Sequence, residues 1–145
     1  MLYVGQLKHF NPEQFDRSYA IVRSAKYLPP NVQQLACLSP SWDLFLKYRE
    51  HVQQGTWGMQ AFMLEYVPQF LSELLQNSQA IRTLNQLAKT EDNIMLACYC
   101  AEEELCHRSI VAGLLQGAGC DVRTSSGTDF SVYYKIYKNL KERLT

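Results

Sequence analysis

Residues 94–115, with the sequence IMLACYCAEEELCHRSIVAGLL, constrain the fold of this chain more than any other segment. They begin with a continuous apolar run, Ile94–Cys98, which is typical of a parallel strand buried on both faces. From Ser109 onward apolar residues recur at helical spacing, so a strand leads into a helix through a polar hinge, defined here as residues 100–108. Open α/β sheets bind ligands at such junctions because a helix N-terminus presents free N–H groups and positive dipole.

The rest of the chain also alternates short β-prone segments with amphipathic helices. Strands are predicted at residues 2–4, 18–24, 35–38, 94–98 and 120–123. Helices are predicted at residues 41–55, 58–75, 78–90, 109–117 and about 130–144, and Pro68 is expected to kink the second helix or mark its start. This alternation predicts a three-layer α/β fold with a mostly parallel sheet, formed as a single domain over residues 1–145.

The composition excludes several classes of protein. Apolar residues make up 47% of the chain and charged residues 19%, which is typical of a globular protein. Fourteen basic and fourteen acidic residues cancel, so nucleic acid is not the favoured partner. No apolar run approaches the ~20 residues of a membrane span, and no signal peptide is recognised. Together with five cysteines in no regular framework, these features predict a cytoplasmic protein with reduced thiols.

The hinge and its flanks have the pattern L-A-C-Y-C-x5-C-H-R-S-x-V-A-x2-L. This pattern resembles the core of the domain-of-unknown-function 488 (YeaO-like) family, in particular a branch from bacteria and their phages. Two other segments are similar to elements of that family: Val4-Gly5-Gln6-Leu7, and Leu38-Ser39-Pro40-Ser41-Trp42-Asp43 followed by Tyr48. The resemblance covers roughly residues 1–122. It implies a Rossmann-like α/β fold and a site at the hinge, without an activity to transfer; a phage-encoded member would act in the host cytoplasm.

The first hypothesis for the hinge is a pocket for a phosphate or a nucleotide-like anion. Arg108, in the first helical turn, can combine its bidentate guanidinium with free backbone N–H groups. His107 beside it is suited to donate a hydrogen bond or to move a proton near neutral pH. Further ligand contacts are expected from Gln6, Trp42, Tyr48 and Cys100. In the alternative, Arg108 pairs with Glu102 or Glu104 and only fixes the loop.

The second hypothesis is catalysis by hinge residues. Cys106, near a helix N-terminus and beside two cations, is expected to have a lowered thiol pKa, and Cys100 is a second candidate nucleophile. The Cys-x5-Arg spacing of cysteine phosphatases is absent, because seven residues separate Cys100 from Arg108. Glu102 is a candidate general acid or base whose pKa partial burial would raise. The neighbouring Glu103 and Glu104 are expected only to solvate the loop.

The third hypothesis is metal binding. Cys98, Cys100, Cys106 and His107 are four soft donors within ten residues. The Cys-x2-Cys knuckle that normally orients thiolates is missing, and adjacent Cys106 and His107 are expected to diverge at a helix start. The favoured prediction is therefore a site with no metal and no cofactor.

These hypotheses leave three functions open. The favoured one is binding or processing of a nucleotide-like anionic ligand at the hinge, which as an enzyme would be a small hydrolase or transferase acting on a nucleotide or base. The second is a non-catalytic ligand sponge or sensor in phage–host conflict, a context implied only by the resemblance. The third is a DNA-associated protein that uses the basic residues of the C-terminal helix. The sequence favours no particular oligomeric state.

Overall fold

The computed structural model describes residues 1–144 and contains a parallel sheet with the strand order β3-β2-β4-β1-β5. Thr145, the last residue of the predicted domain, lies outside the described residues. The strands are β1 (Leu2–Gln6), β2 (Arg17–Ala20), β3 (Val32–Gln34), β4 (Ile94–Cys98) and β5 (Val122–Arg123). Helices flank the sheet, so the predicted Rossmann-like three-layer α/β fold is confirmed.

β4 occupies the centre of the sheet. It pairs in parallel with β1 from Leu2↔Ile94 to Gln6↔Cys98, and with β2 on its other edge from Arg17↔Ile94. All five of its residues are buried, as its continuous apolar run predicts. Because every strand runs in the same direction, the carboxyl ends of β1, β2 and β4 meet at one edge, which we call the carboxyl edge.

The third strand is not where the sequence places it. The apolar run at residues 35–38 forms a 3₁₀ turn, Ala36–Leu38, rather than a strand. β3 lies just before this turn and has two exposed residues out of three. A short edge strand of this kind gains its order by pairing with β2, where Ser18 lies opposite Val32, and leaves little hydrophobic signal in the sequence.

Six helices complete the fold within residues 1–144. Their bounds are α1 (Trp42–Gln54), α2 (Met59–Ala61), α3 (Val67–Leu75), α4 (Ser78–Lys89), α5 (His107–Gly117) and α6 (Val132–Leu144). A π-helical turn, Phe62–Tyr66, joins α2 to α3, with the N–H of Val67 donating to the carbonyl of Phe62. Pro68 follows this turn and has no N–H of its own, and the wider turn accommodates its ring. No helix among the described residues is both long and apolar enough to cross a bilayer.

α5 joins the sheet to the outer helices. Nine of its residues are buried, and it contacts β1, β4 and β5 on one side and α6 on another. α5 closely approaches the segment that leads into α6. A Cβ added to Gly113 would lie only 2.0 Å from the carbonyl oxygen of Phe130. α5 begins at His107, two residues before the helical spacing first shows in the sequence, so His107 and Arg108 form its first turn.

Candidate functional site

A cavity of about 530 Å³ opens at the carboxyl edge, beside the ends of β2 and β4. This is the position at which open α/β sheets form ligand sites. Its lining comes from the segment after β2, from α1, from the π-helical turn and from the hinge. The lining residues are Val22, Arg23, Ser24, Pro40, Trp42, Phe45, Tyr48, Tyr66, Tyr99, Cys100, Ala101, Leu105, Cys106 and His107.

One side of the cavity is an aromatic wall, formed by Trp42, Phe45, Tyr48 and Tyr66. The first three lie three residues apart on α1, so they share one face of that helix. The Trp42 and Phe45 rings are stacked, with centroids 5.2 Å apart and planes 24° apart. Trp42 is 56% exposed, although tryptophan usually buries its large apolar ring. Trp42 therefore presents much of its flat apolar ring to solvent beside the cavity.

The start of α1, and with it the position of the aromatic wall, is fixed by polar contacts. The hydroxyl of Ser41 accepts a hydrogen bond from the N–H of Leu44 at 3.1 Å, as an N-cap residue does. The same hydroxyl donates to a carboxylate oxygen of Glu73 at 2.5 Å, and the N–H of Ser41 donates to the other oxygen at 2.8 Å. Glu73 thereby ties α1 to α3.

Arg23 is the arginine that lines the cavity. It follows β2 and is exposed, and its Nε donates to the carbonyl oxygen of Pro40 at 2.7 Å. That bond uses one of the five guanidinium N–H groups, so the N–H groups of the two Nη atoms remain as donors. Arg23 was not among the site residues expected from the sequence, because nothing near β2 distinguishes it from other surface cations.

The other side of the cavity holds a thiol–histidine cluster, consisting of Cys98, Cys100, Cys106 and His107. The three sulfur atoms and one imidazole nitrogen all lie within 4.8 Å of one another. The sulfurs of Cys98 and Cys106 are 2.9 Å apart, and that of Cys106 is 3.7 Å from Nδ1 of His107. Cys98 is buried behind the other three, which line the cavity.

Adjacent Cys106 and His107 do not diverge as the sequence suggested. Cys106 has extended backbone angles, φ −121° and ψ 147°, and serves as the N-cap of α5 rather than as part of it. The angular separation of neighbouring side chains on a helix therefore does not apply to this pair. The geometric reason for expecting no metal at the hinge is thus wrong.

The imidazole of His107 is held by a backbone contact. The side chain is buried, and its Nε2 lies 2.6 Å from the carbonyl oxygen of Ile21. Because a carbonyl oxygen only accepts hydrogen bonds, Nε2 carries the proton and donates it to this contact. The other ring nitrogen, Nδ1, faces the cluster and lies 3.7 Å from the sulfur of Cys106.

The three thiols of the cluster have different pKa values. Hydrogen bonds from Cys100 and Cys106, aided by the charges of His107 and Arg108, lower the pKa of Cys98 well below its usual range although burial opposes this. Burial and the neighbouring sulfurs raise the pKa of Cys106, which is the reverse of the lowering expected from the sequence. A hydrogen bond from Cys106 lowers the pKa of Cys100, but donation to Cys98 and burial outweigh it and raise this pKa to about 12.

Arg108 does not line the cavity, contrary to its expected role as the anion-binding residue. It is only 2% exposed, and its Nη1 donates to the carbonyl oxygen of Cys100 at 2.6 Å and to the sulfur of Cys98 at 3.2 Å. Its Nε lies 3.8 Å from a carboxylate oxygen of Glu103. Nη1 is held by these contacts, whereas Nε is buried without a hydrogen-bond partner, so Arg108 fixes the hinge from inside the protein instead of facing solvent.

The glutamate that matters for the hinge is Glu103, not Glu102. Glu102 and Glu104 are exposed, whereas Glu103 is 7% exposed and turned inward by a 3₁₀ turn, Glu103–Leu105. Its carboxylate accepts hydrogen bonds from the N–H of Ser125 at 2.8 Å, and from the N–H and the hydroxyl of Ser126 at 3.2 and 2.8 Å. The expectation that Glu103 only solvates the loop is therefore wrong.

The remaining predicted residues separate into two groups. Trp42, Tyr48, Cys100, Cys106 and His107 surround the cavity together. Gln6 does not line it, and its side-chain amide donates to the carbonyl oxygen of Tyr99 at 3.4 Å. Tyr99 and Phe45 line the cavity but were not expected, although Phe45 shares the helical spacing of Trp42 and Tyr48 and could have been found from it.

The parallel sheet, the hinge after β4 and the cavity at the carboxyl edge define the class of this chain, a Rossmann-like α/β protein. A family model described as the active DUF488-N3 subclade matches residues 11–119, that is 109 of the 145 residues. The protein belongs to the DUF488 family, as its hinge motif indicated. The matched span includes the hinge, α1 and the cavity residues, and it begins after β1. Comparison with curated proteins and with solved structures returned no match.

Proposed function

We propose that the protein binds a nucleotide-like ligand in the cavity at the carboxyl edge. The planar ring of the ligand stacks against the aromatic wall, and its anionic group meets Arg23. The observation that carries this proposal is the combination of the exposed Trp42 ring, stacked on Phe45, with Arg23 in one cavity. Aromatic rings hold nucleobases by stacking, and each stacked base contributes about 1–3 kcal/mol. The volume lies within the roughly 300–1,000 Å³ that is usual for small-molecule sites.

The ligand class is the one expected from the sequence, but the anion is assigned to Arg23 instead of Arg108. Arg108 is buried away from the cavity lining, and its Nη1 is hydrogen-bonded to Cys98 and Cys100. Arg23 is exposed at the cavity, and its hydrogen bond to Pro40 leaves its Nη donors available. The neutral phenols of Tyr48 and Tyr66, whose pKa values burial raises, supply hydroxyl groups inside the cavity for polar edges of a base.

The matched subclade is described as active, which favours processing of the ligand over passive storage. His107 is the imidazole at the cavity, and its Nδ1 faces the thiols while Nε2 is held by Ile21. Chemistry on the ligand would therefore take place beside the thiol–histidine cluster rather than at the exposed Glu102. Product analysis of incubated nucleotides by chromatography tests this part separately from binding.

Binding is tested most directly through the fluorescence of Trp42. Trp57 packs edge-on against Tyr48 and does not line the cavity, so Trp57→Phe makes Trp42 the single tryptophan reporter. In this background, nucleoside monophosphates should quench the fluorescence with saturation. Unphosphorylated nucleosides should bind more weakly by roughly 10-fold, because one charge-assisted contact contributes at least about 1.5 kcal/mol.

The variant Arg23→Gln should reduce affinity for monophosphates to that for nucleosides, whereas Arg49→Gln, an exposed arginine of α1 outside the cavity lining, should leave it unchanged. The proposal fails if no member of a purine and pyrimidine panel quenches Trp42 at millimolar concentration. If nucleosides and monophosphates bind equally and Arg23→Gln has no effect, the ring site stands and the assignment of the anion to Arg23 is wrong.

A further inference from the structure

The thiol–histidine cluster contains the donor set of a metal centre, and we infer that Cys98, Cys100, Cys106 and His107 bind one zinc ion. Three sulfur atoms and one imidazole nitrogen within 4.8 Å of one another match the Cys₃His set of structural zinc sites in number and in type. Two donors come from the end of β4 and its extension, and two from the N-cap and first residue of α5. The site does not depend on whether the cavity binds a nucleotide.

The orientation of His107 supports this assignment independently of the cluster. Histidines that bind metals usually donate their second ring N–H to a carboxylate or a backbone carbonyl, which fixes the tautomer and the ring plane. His107 makes this contact, because Nε2 lies 2.6 Å from the carbonyl oxygen of Ile21. The lone pair of Nδ1 is thereby directed toward the sulfur of Cys106, 3.7 Å away.

The charge of Arg108 supports the assignment as well. Three thiolates and one Zn²⁺ carry a net charge of −1, which is costly to bury without a compensating cation. Arg108 is buried, and its Nη1 lies 3.2 Å from the sulfur of Cys98, so it places a cation, shared with Glu103, and an N–H···S hydrogen bond at a ligand atom. Outer contacts of this kind hold metal ligands in position and raise metal affinity.

One distance must change when the ion binds. With Zn–S bonds of about 2.3 Å, two sulfurs of a tetrahedral site are roughly 3.8 Å apart. The sulfurs of Cys98 and Cys106 are 2.9 Å apart, so they separate by about 1 Å on binding. The same proximity makes a disulfide between these two residues, with a bond of about 2.05 Å, the competing state of the cluster. Soft thiolate and imidazole donors favour zinc over the harder cations.

The test measures metal content and coordination of the full chain. The protein is purified under reducing conditions without chelator, and elemental analysis with native mass spectrometry counts the bound metal. One zinc per chain is expected. After removal of the metal, Co²⁺ should restore stoichiometric binding and show the visible bands of a tetrahedral ion together with thiolate-to-cobalt charge transfer.

Variants assign the ligands. Cys100→Ser changes the ligand that is partly exposed at the cavity, so it is expected to fold, to bind cobalt more weakly by at least 10-fold, and to lose part of the charge-transfer intensity. Cys106→Ala should abolish stoichiometric binding. Cys37→Ser is the matched control, since this thiol lies near Thr83 and outside the cluster, and it should bind metal as the parent does.

Three outcomes would overturn the inference. The first is that the reduced protein takes up neither zinc nor cobalt. After oxidation its mass would then fall by two hydrogens, as for a Cys98–Cys106 disulfide. The second is an iron chromophore, which would place a different metal at these residues. The third is unchanged cobalt spectra and affinity in Cys100→Ser relative to Cys37→Ser.

Discussion

Replacing the inward-facing Glu103 by glutamine should destabilise the protein, because its carboxylate holds the hinge in place. Its carboxylate accepts three hydrogen bonds from Ser125 and Ser126 and lies 3.8 Å from Nε of the buried Arg108. The variant Glu103→Gln keeps the shape and the oxygen that faces Ser126. It places an amide N–H₂ where the second oxygen accepts from the N–H of Ser125, so two donors face each other.

The expected loss of stability follows from these contacts. A hydrogen bond to a charged group contributes about 1.5–3 kcal/mol, and removing one partner of a buried ion pair costs about 3–5 kcal/mol. Arg108 keeps its contacts with Cys98 and Cys100, so the ion-pair cost is only partly incurred. The free energy of unfolding should therefore fall by about 2–4 kcal/mol in Glu103→Gln at pH 7.

The loss of stability in Glu103→Gln should depend on pH. Burial acts to raise the pKa of Glu103, but the hydrogen bonds from Ser126 and Ser125 outweigh it, and the pKa lies below its ordinary value of 4.5. A carboxylate whose pKa is depressed by folding stabilises the protein above its unfolded pKa, and this contribution is lost as the pH falls through the folded pKa. The difference between parent and variant should be largest near pH 7 and should shrink in acid.

Urea unfolding followed by tryptophan fluorescence, repeated from pH 7 down to about pH 3, measures both quantities. The matched control is Glu104→Gln, an exposed neighbour in the same turn, which should change stability by less than about 0.5 kcal/mol. Equal stabilities for the two variants at pH 7, or a difference for Glu103→Gln that does not diminish in acid, would refute the account of the hinge.

Two further predictions concern packing and helix capping. Gly113→Ala should destabilise the protein by about 2 kcal/mol or more, because its Cβ would lie 2.0 Å from a backbone oxygen of Phe130. Gly58→Ala, where the backbone is extended and no atom lies within 4 Å of the new Cβ, should change the urea midpoint little, and equal losses for both would contradict this packing. Ser41→Ala should cost about 1–2 kcal/mol through loss of the α1 N-cap. Exposed Ser78→Ala is its control, and similar midpoints for the two would show that the cap contributes nothing.

Local signals in the sequence were enough for the centre of the fold. The continuous apolar run at β4 and the helical spacing of α5 are determined by neighbouring residues, and both elements form as predicted. β3 could not be located in this way, because two of its three residues are exposed and its order comes from pairing with β2. The apolar run that follows β3 instead forms the 3₁₀ turn Ala36–Leu38, with Leu38 buried.

The position of the candidate cavity could be expected from the sequence, but the contacts inside the hinge could not. The hinge and Trp42 were expected at the carboxyl edge, since parallel strands end there together. The choice among three consecutive glutamates depends on Ser125 and Ser126, which lie more than twenty residues further along the chain. The inward orientation of Arg108 likewise depends on Glu103 and on the carbonyl of Cys100. Contacts between distant segments leave no periodic pattern in the sequence.

The position of β4 has a consequence for how the molecule assembles. β2 and β3 form one half of the sheet, β1 and β5 the other, and in residues 1–144 the sheet hydrogen bonds between these halves all pass through β4. About two-thirds of the chain precedes this strand. β1 therefore has no neighbouring strand to pair with until about ninety further residues have been synthesised. Insertion of β4 then closes the sheet and brings Cys98 to the hinge in the same step. The core and the candidate site should therefore form together, late and cooperatively, and a nascent chain that stops before β4 should expose unpaired strand edges.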